Sequence, residues 1–281
     1  MITRDLVRQA LKQAGLCGQT LCIHASMRAF GDGVENGAQG LKDVFLEEGC
    51  TVMTPAFSYD YLCNPVMDSQ MPLRNAAGNY AWYREHVLTP GIYDVSSKAL
   101  SLEDMGVFAR AVLMHERALR GNHPLNSFVS VGERAKELIA PQTWQNVYAP
   151  FEQLCAMDGL VLLMGTTLKN ATILHYAEQL AGRTPFVRWA KDKDGKVRCF
   201  SEGGCSNGFE QLAASLAHLE KRIAVGNSIW RIYPARQMAD AAAEVIRSHP
   251  MITHCENPAC MRCNDAVQGG PILPEDFWDH A

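Results

Sequence analysis

Five consecutive apolar residues, Leu160 to Met164, stand between Gly159 and Gly165. A run so short and so uniformly apolar reads as a strand buried on both faces, which requires helices above and below its sheet. The mainly polar stretch Thr166 to Asn170 then makes a turn. From about Ala171 the apolar residues Ile173, Leu174, Ala177, Leu180 and Ala181 recur at helical spacing, with Gly182 placed to close the helix.

The same rhythm runs through the rest of the chain. Thr3 is a fair N-cap for a helix over about Arg4 to Ala14, closed by Gly15. Thr20 to His24 alternates into a strand, which empties into Ala25-Ser26-Met27-Arg28 and a glycine-rich loop. A helix over roughly Leu41 to Glu47 leads to a strand, Cys50 to Thr54. Further helices are expected over about Glu103 to Leu119, Glu133 to Ala140, Pro150 to Met157, Gly208 to Glu220 and Ala235 to Ser248. Further strands are expected at Phe128 to Val131 and near Arg222 to Val225. Asp194-Gly195 between Phe186–Ala190 and Val197–Ser201 predicts a hairpin. This pattern predicts one α/β domain over residues 1–281, with a mostly parallel central sheet flanked by helices. The span Phe57 to about Leu102 interrupts it as a long Tyr/Pro-rich loop insertion. That span carries Tyr59, Tyr61, Tyr80, Trp82, Tyr83 and Tyr93, with Asp60, Asp68 and Asp94. These groups suit either the wall of a pocket for a polar cation or aromatics turned inward for packing.

Several function classes fall away. The net charge is −4 without a basic cluster, which argues against nucleic acid or an anionic membrane surface. No apolar run approaches the roughly 20 residues of a membrane helix. The opening residues lack the apolar core of a secretion signal, so a cytoplasmic location with reduced thiols is expected. Gly31, Gly33 and Gly37 approach a dinucleotide fingerprint, but Asn36 stands where the third glycine belongs and the next strand ends in Thr54-Pro55 without an acidic residue. The turn after the first strand, with Ser26 and its backbone amides, offers a phosphate cradle.

On the helix after Asn170, His175 and Glu178 are three apart and share a face. A carboxylate beside an imidazole orients the ring and raises its basicity, as a general base requires. The spacing alone also describes a surface pair, the commoner arrangement on helices. The C-terminal stretch offers a second cluster, Cys255, Cys260 and Cys263. Three thiols make an incomplete zinc set, with His254 or a distant residue such as Cys205 as the fourth ligand. Thiols packed without metal are the alternative.

Three segments stand together: His24 to Gly31 (HASMRAFG), 122 to 128 (NHPLNSF) and 165 to 178 (GTTLKNATILHYAE). Their order and separation resemble the aminoglycoside 3-N-acetyltransferase family, antibiotic N-acetyltransferases unrelated in fold to the GNAT enzymes. The resemblance implies acetyl-CoA as cosubstrate, an aminoglycoside amine as acceptor and antibiotic resistance as outcome, and it leaves room for a homodimer. It implies His175 as catalytic base with Glu178 as its partner. Ala25, Ser26 and Met27 would meet the CoA pyrophosphate, and Asn122, His123 and Ser127 the pantetheine arm. Thr54 would line the strand end on the acceptor side. Tyr59, Asp60, Asp94, Thr167 and Asn170 are the remaining substrate-side candidates, Thr167 as a donor to the oxyanion. Ala25 departs from the family's serine, and residues 96–104 lack its Thr-Pro loop and Arg. Acetylation of another, biosynthetic amine and a non-catalytic CoA-binding or zinc-stabilised protein are the alternatives.

Overall fold

The computed structural model describes residues 1–66, 71–275 and 277–279; Asp68 lies outside them. Its strands are β1 (Thr20–Ala25), β2 (Thr51–Pro55), β3 (Leu119–Arg120), β4 (Phe128–Val131), β5 (Leu160–Met164), β6 (Phe186–Lys191), β7 (Val197–Glu202), β8 (Lys221–Val225) and β9 (Ser228–Pro234). Its helices are α1 (Arg4–Ala14), α2 (Gly37–Glu47), α3 (Ala81–Glu85), α4 (Leu102–Leu113), α5 (Ala135–Ile139), α6 (Ala149–Ala156), α7 (Ile173–Leu180), α8 (Ala213–Leu216), α9 (Ala235–Ser248) and α10 (Met261–Val267).

The central sheet has seven strands in the order β3-β4-β2-β1-β5-β9-β8. Its middle, β2-β1-β5, is parallel. β4 and β9 run against it, so five of the seven strands point one way while both ends of the sheet pair antiparallel. Side-chain alternation explains the layering. Val161 and Leu163 of β5 face one core with Cys22, Met53, Phe128 and Tyr233, covered by α5, α6, α7 and α9. Leu162 and Met164 face the other with Leu21, Ile23, Val52 and Trp230, covered by α1, α2 and α4. A strand whose odd and even residues both meet helices must be apolar throughout, which is the property of residues 160–164.

Local signals hold at the ends of α1. Thr3 Oγ accepts from the Leu6 amide at 3.3 Å, and Gly15 closes the helix at φ +73°. The expected hairpin is β6–β7, with Gly195 at φ +76° in its turn.

One strand is added to those expected, and three expectations are corrected. β9 is a full strand next to β5, paired in a second hairpin with β8. The helix expected to Leu119 ends at Leu113, is kinked at Gly106 (φ +76°), and gives way to the short edge strand β3. The helix expected over 208–220 breaks into 3-10 turns at Phe209–Leu212 and Ala217–Leu219 around α8. The second helix starts earlier than Leu41, at Gly37.

The irregular span after Phe57 contains only α3 and a 3-10 turn among its described residues, and most of its aromatics pack inward. Tyr80 and Tyr83 meet Trp189 of β6 edge-on at 5.8 and 5.4 Å, and Tyr61 meets Tyr93 at 5.2 Å. Among the described residues, no helix is long and apolar enough to cross a membrane.

The exit from β5 is tight. Gly165 has φ +64°, and a methyl group there would stand 2.1 Å from Ala29 Cβ and 3.0 Å from Ser228 Oγ. Gly165→Ala therefore combines left-handed strain with overpacking, and a loss of about 2–4 kcal/mol is expected in urea unfolding. A change under about 0.5 kcal/mol contradicts this account of the turn.

Candidate active site

The three parallel strands end at one cleft. His24 and Ala25 come from the end of β1, Thr54 and Pro55 from β2, and Thr166, Lys169 and Asn170 from the turn after β5. The carboxyl ends of parallel strands are where open α/β sheets hold ligands. The remaining wall comes from Phe57, Tyr59, α4, Tyr148, the segment after β7, and Arg262 of α10, around a volume of about 300 Å³.

His175 reaches this cleft from α7. Its Nδ1 lies 2.7 Å from Glu178 Oε2, the contact the three-residue spacing predicts. The other carboxylate oxygen, Oε1, accepts from Arg183 at 2.5 Å. Arg183 is held in turn by Thr253 Oγ1 at 2.7 Å and the Pro250 carbonyl at 2.6 Å. All three side chains are nearly buried, so this is not a surface pair. The imidazole lies parallel to Tyr148, 13° between planes, and edge-on to Phe209 at 4.7 Å. Gly203 keeps its place because a methyl group there would press on Tyr148 Oη at 2.4 Å and His175 Cδ2 at 3.2 Å. With Nδ1 committed to Glu178, Nε2 is the ring nitrogen left for another partner.

Beneath the turn, a second network holds Leu168. Its amide donates to Glu210 Oε2 at 2.7 Å, and Arg231 joins Glu210 to Glu220 at 3.1 and 2.9 Å. On the opposite wall Glu202 is buried between Arg188 (3.0 Å) and Arg262 (3.2 Å). Burial pushes its carboxyl up, but the two guanidinium groups outweigh this and hold it below the usual range. Burial alone pushes the His24 imidazole down to about 3, so that ring is neutral.

The family model for aminoglycoside 3-N-acetyltransferases matches residues 22–247. The chain belongs to the aminoglycoside 3-N-acetyltransferase family. Aminoglycoside N(3)-acetyltransferase VII of Streptomyces paromomycinus is 31% identical over 191 residues, which is 64% of this chain and 61% of that protein. The matched stretch therefore spans about three fifths of that relative's length. Two solved structures share the fold. AAC-IIIb with CoASH aligns at a TM-score of 0.70 and 20% identity, covering 88% of this chain and 96% of that one. A mutant of AAC(3)-IVa in complex with gentamicin aligns at a TM-score of 0.70 and 23% identity, covering 94% of this chain and 96% of that one.

Within this family frame, the expected site residues divide into two groups. His175, Ala25, Thr54, Tyr59 and Asn170 line the cleft, and Glu178 stands directly behind His175. Ser26, Met27, Asn122, His123, Ser127, Asp60, Asp94 and Thr167 are not among its lining residues. His123 is fully buried. Its Nδ1 accepts from the Asn126 amide and its Nε2 meets the Ser201 carbonyl, both at 2.9 Å, so the ring joins its own loop to β7. Ser127 Oγ bridges the Ala56 carbonyl and Arg120 Nε. The Ser26 amide is committed to the Met164 carbonyl at 2.9 Å. Asp94 is exposed and closes a local turn onto the Ser96 amide at 2.8 Å.

The neighbours of two expected residues do reach the cleft. Asn126 and Thr166 line it, and among the described residues Asn126 Oδ1 and Thr166 Oγ1 are buried without a hydrogen-bond partner. Unpaired polar atoms in a pocket wall suit a polar ligand. Sequence reading missed Arg183, Tyr148, Glu202 and Arg262, whose roles come from contacts distant in the chain. Only Arg183, just past the closing Gly182, lay close enough to α7 to be noticed. Away from His175, the thiols of Cys205, Cys255, Cys260 and Cys263 all lie within 4.8 Å of one another, so the distant cysteine completes the set of four.

Two outcomes test these networks. Arg183→Met leaves a buried Glu178 carboxylate oxygen without its cation, and a stability loss of about 3 kcal/mol is expected by denaturant unfolding. An unchanged unfolding midpoint contradicts the assignment of Arg183. Burial pushes the Glu220 carboxyl up, but hydrogen bonds from Arg222, Arg231 and Tyr233 overcome this and bring it from an ordinary 4.5 to about 2. A depressed folded-state value contributes stability that is complete above pH 4.5 and is lost as pH falls toward 2. Glu220→Gln should therefore flatten the dependence of unfolding free energy on pH in that window. A slope equal to that of the unmodified protein contradicts it.

Proposed function

We propose that this chain is an acetyl-CoA-dependent N-acetyltransferase whose acceptor is an aminoglycoside, acetylated at its 3-amino group, and that it thereby confers resistance. The observation that carries the reading is the Arg183–Glu178–His175 chain opening through Nε2 onto a polar cleft at the ends of β1, β2 and β5. The names of the relatives point to the same chemistry, and the solved neighbours hold CoASH and gentamicin at the same fold.

Acetyl-CoA supplies the acetyl thioester. The acceptor must attack as a free amine, yet an aliphatic amine is mostly protonated at neutral pH. His175 Nε2 accepts that proton, and Glu178 stabilises the resulting imidazolium through Nδ1–H. The freed amine nitrogen bonds to the thioester carbonyl carbon, the C–S bond breaks, and the departing CoA sulfur takes the amine's second proton to leave as the free thiol. Arg183 holds the Glu178 carboxylate correctly turned. The Thr166 hydroxyl, unpartnered among the described residues, is the donor best placed in the turn for negative charge developing on the carbonyl oxygen. This replaces Thr167, which is exposed and outside the cleft lining. Lys169 and the adjoining Asn170 suit a phosphate group. Asp104 and Tyr59 suit the ammonium groups of a polycationic acceptor. Ala25 and Thr54 shape the strand ends between them.

The test is thiol release from acetyl-CoA with a panel of aminoglycosides and simple amines. His175→Ala should lower turnover by roughly 10²–10⁴ while CoA still binds in calorimetry. Turnover close to that of the unmodified enzyme sinks the assignment. Thiol release that simple amines elicit and aminoglycosides do not would move the acceptor to another class.

A further inference from the structure

We propose that Cys205, Cys255, Cys260 and Cys263 form a structural zinc site that fixes one wall of the cleft. Each residue offers one sulfur, and the four sulfurs lie within 4.8 Å of one another. A tetrahedral zinc at a Zn–S distance of about 2.3 Å needs sulfurs about 3.8 Å apart, a small contraction from this cluster. All four are free thiols, three partly exposed and Cys263 buried. Four protein sulfurs close the shell, so the metal would have no open position and no part in the chemistry of His175.

The surrounding contacts fit this reading. Cys263 Sγ accepts from the Cys255 amide at 3.4 Å, a bond that favours a thiolate. His254, the other candidate for a fourth ligand, is engaged elsewhere. Its Nδ1 meets the Cys255 carbonyl at 2.7 Å and its Nε2 meets Asn264 Oδ1 at 2.9 Å. Soft sulfur ligands in a tetrahedral set select zinc over calcium, magnesium or manganese. On binding Zn²⁺ the four thiols release four protons, and no oxidant or reductant is involved.

The site joins two segments far apart in the chain. Cys205 sits between Gly204 and Ser206, both in the cleft wall, and Cys263 follows Arg262, which lines the same wall. Arg262 also holds the Gly203 carbonyl at 3.3 Å and Glu202 at 3.2 Å. At Gly208 the two segments approach so closely that a methyl group would stand 2.3 Å from the Thr253 carbonyl oxygen. A metal at the four sulfurs would lock this contact, and with it Gly203 against His175.

The experiment measures metal content, independently of acetyl transfer. Protein purified under reducing conditions from zinc-containing medium should carry about one zinc per chain after dialysis. Cys205→Ser and Cys263→Ser should each lose most of this zinc, while Cys155→Ser, outside the cluster, should retain it. Cobalt added to the chelator-treated protein should give the intense thiolate-to-metal absorption of a tetrahedral sulfur site. That measurement on the unmodified chain stands even where a variant folds poorly. Zinc well below one per chain with no cobalt band overturns the proposal. So does full zinc in Cys205→Ser, or an intact mass four hydrogens light, which would mean two disulfides in place of the metal.

Discussion

A carboxylate taken out of water costs several kcal/mol unless charges and donors meet its oxygens. Glu178 meets that demand with Arg183 on one oxygen and His175 on the other. The requirement reaches outward. Arg183 is fixed only because the 3-10 turn Pro250–Thr253 offers it a carbonyl and a hydroxyl. That turn follows α9, which packs on α7 across the core shared with β5. The angle of one imidazole in the cleft thus depends on packing between two helices and on the turn that ends one of them. The same arrangement turns a helix pair of small intrinsic worth into a fixed, water-poor group.

Local chemistry made parts of this legible in the sequence. β5 is uniformly apolar because both faces meet helices, and its glycine exit is matched by the tight space around Gly165. The i,i+3 pair on α7 needs only helical geometry. β9 was harder to see. Its residues Ser228 to Pro234 mix Arg231 with aromatics, because that arginine leaves the sheet to join Glu210 and Glu220. Helical periodicity over 208–220 was misleading, since the backbone follows the 3-10 turn that brings Glu210 beneath Leu168. Glu202 and Arg262 were invisible for a simpler reason. Their partners are fixed by tertiary packing, which no spacing in the chain encodes.

The segment NHPLNSF shows how a motif can sit at a cleft without its most conspicuous polar residues lining it. His123 spends both ring nitrogens on the backbone, and burial pushes its basicity down to about 3. A neutral ring joining the Asn126 amide to the Ser201 carbonyl is a clasp between the β4 side and β7. Its consequence for the cleft is indirect. It places Asn126 in the wall, with Oδ1 unpaired among the described residues, and it anchors the strand that ends in Glu202. The groups that line the cleft are therefore the neighbours of those a motif would highlight.

The two kinds of charge in the wall do different work. Glu202 lies between two arginines, so its own charge is offset within the protein and the three groups together leave one positive charge at that wall. Asp104 and Lys169 line the same space, and neither belongs to that cluster. A cleft with its strongest charges paired internally, and with single charges of each sign at its lining, can hold an anionic and a cationic ligand together. A cleft with a strong field of one sign would repel one of the two. Under the proposed function, a cationic amine acceptor and a phosphate-bearing acyl donor would make that demand in a single site.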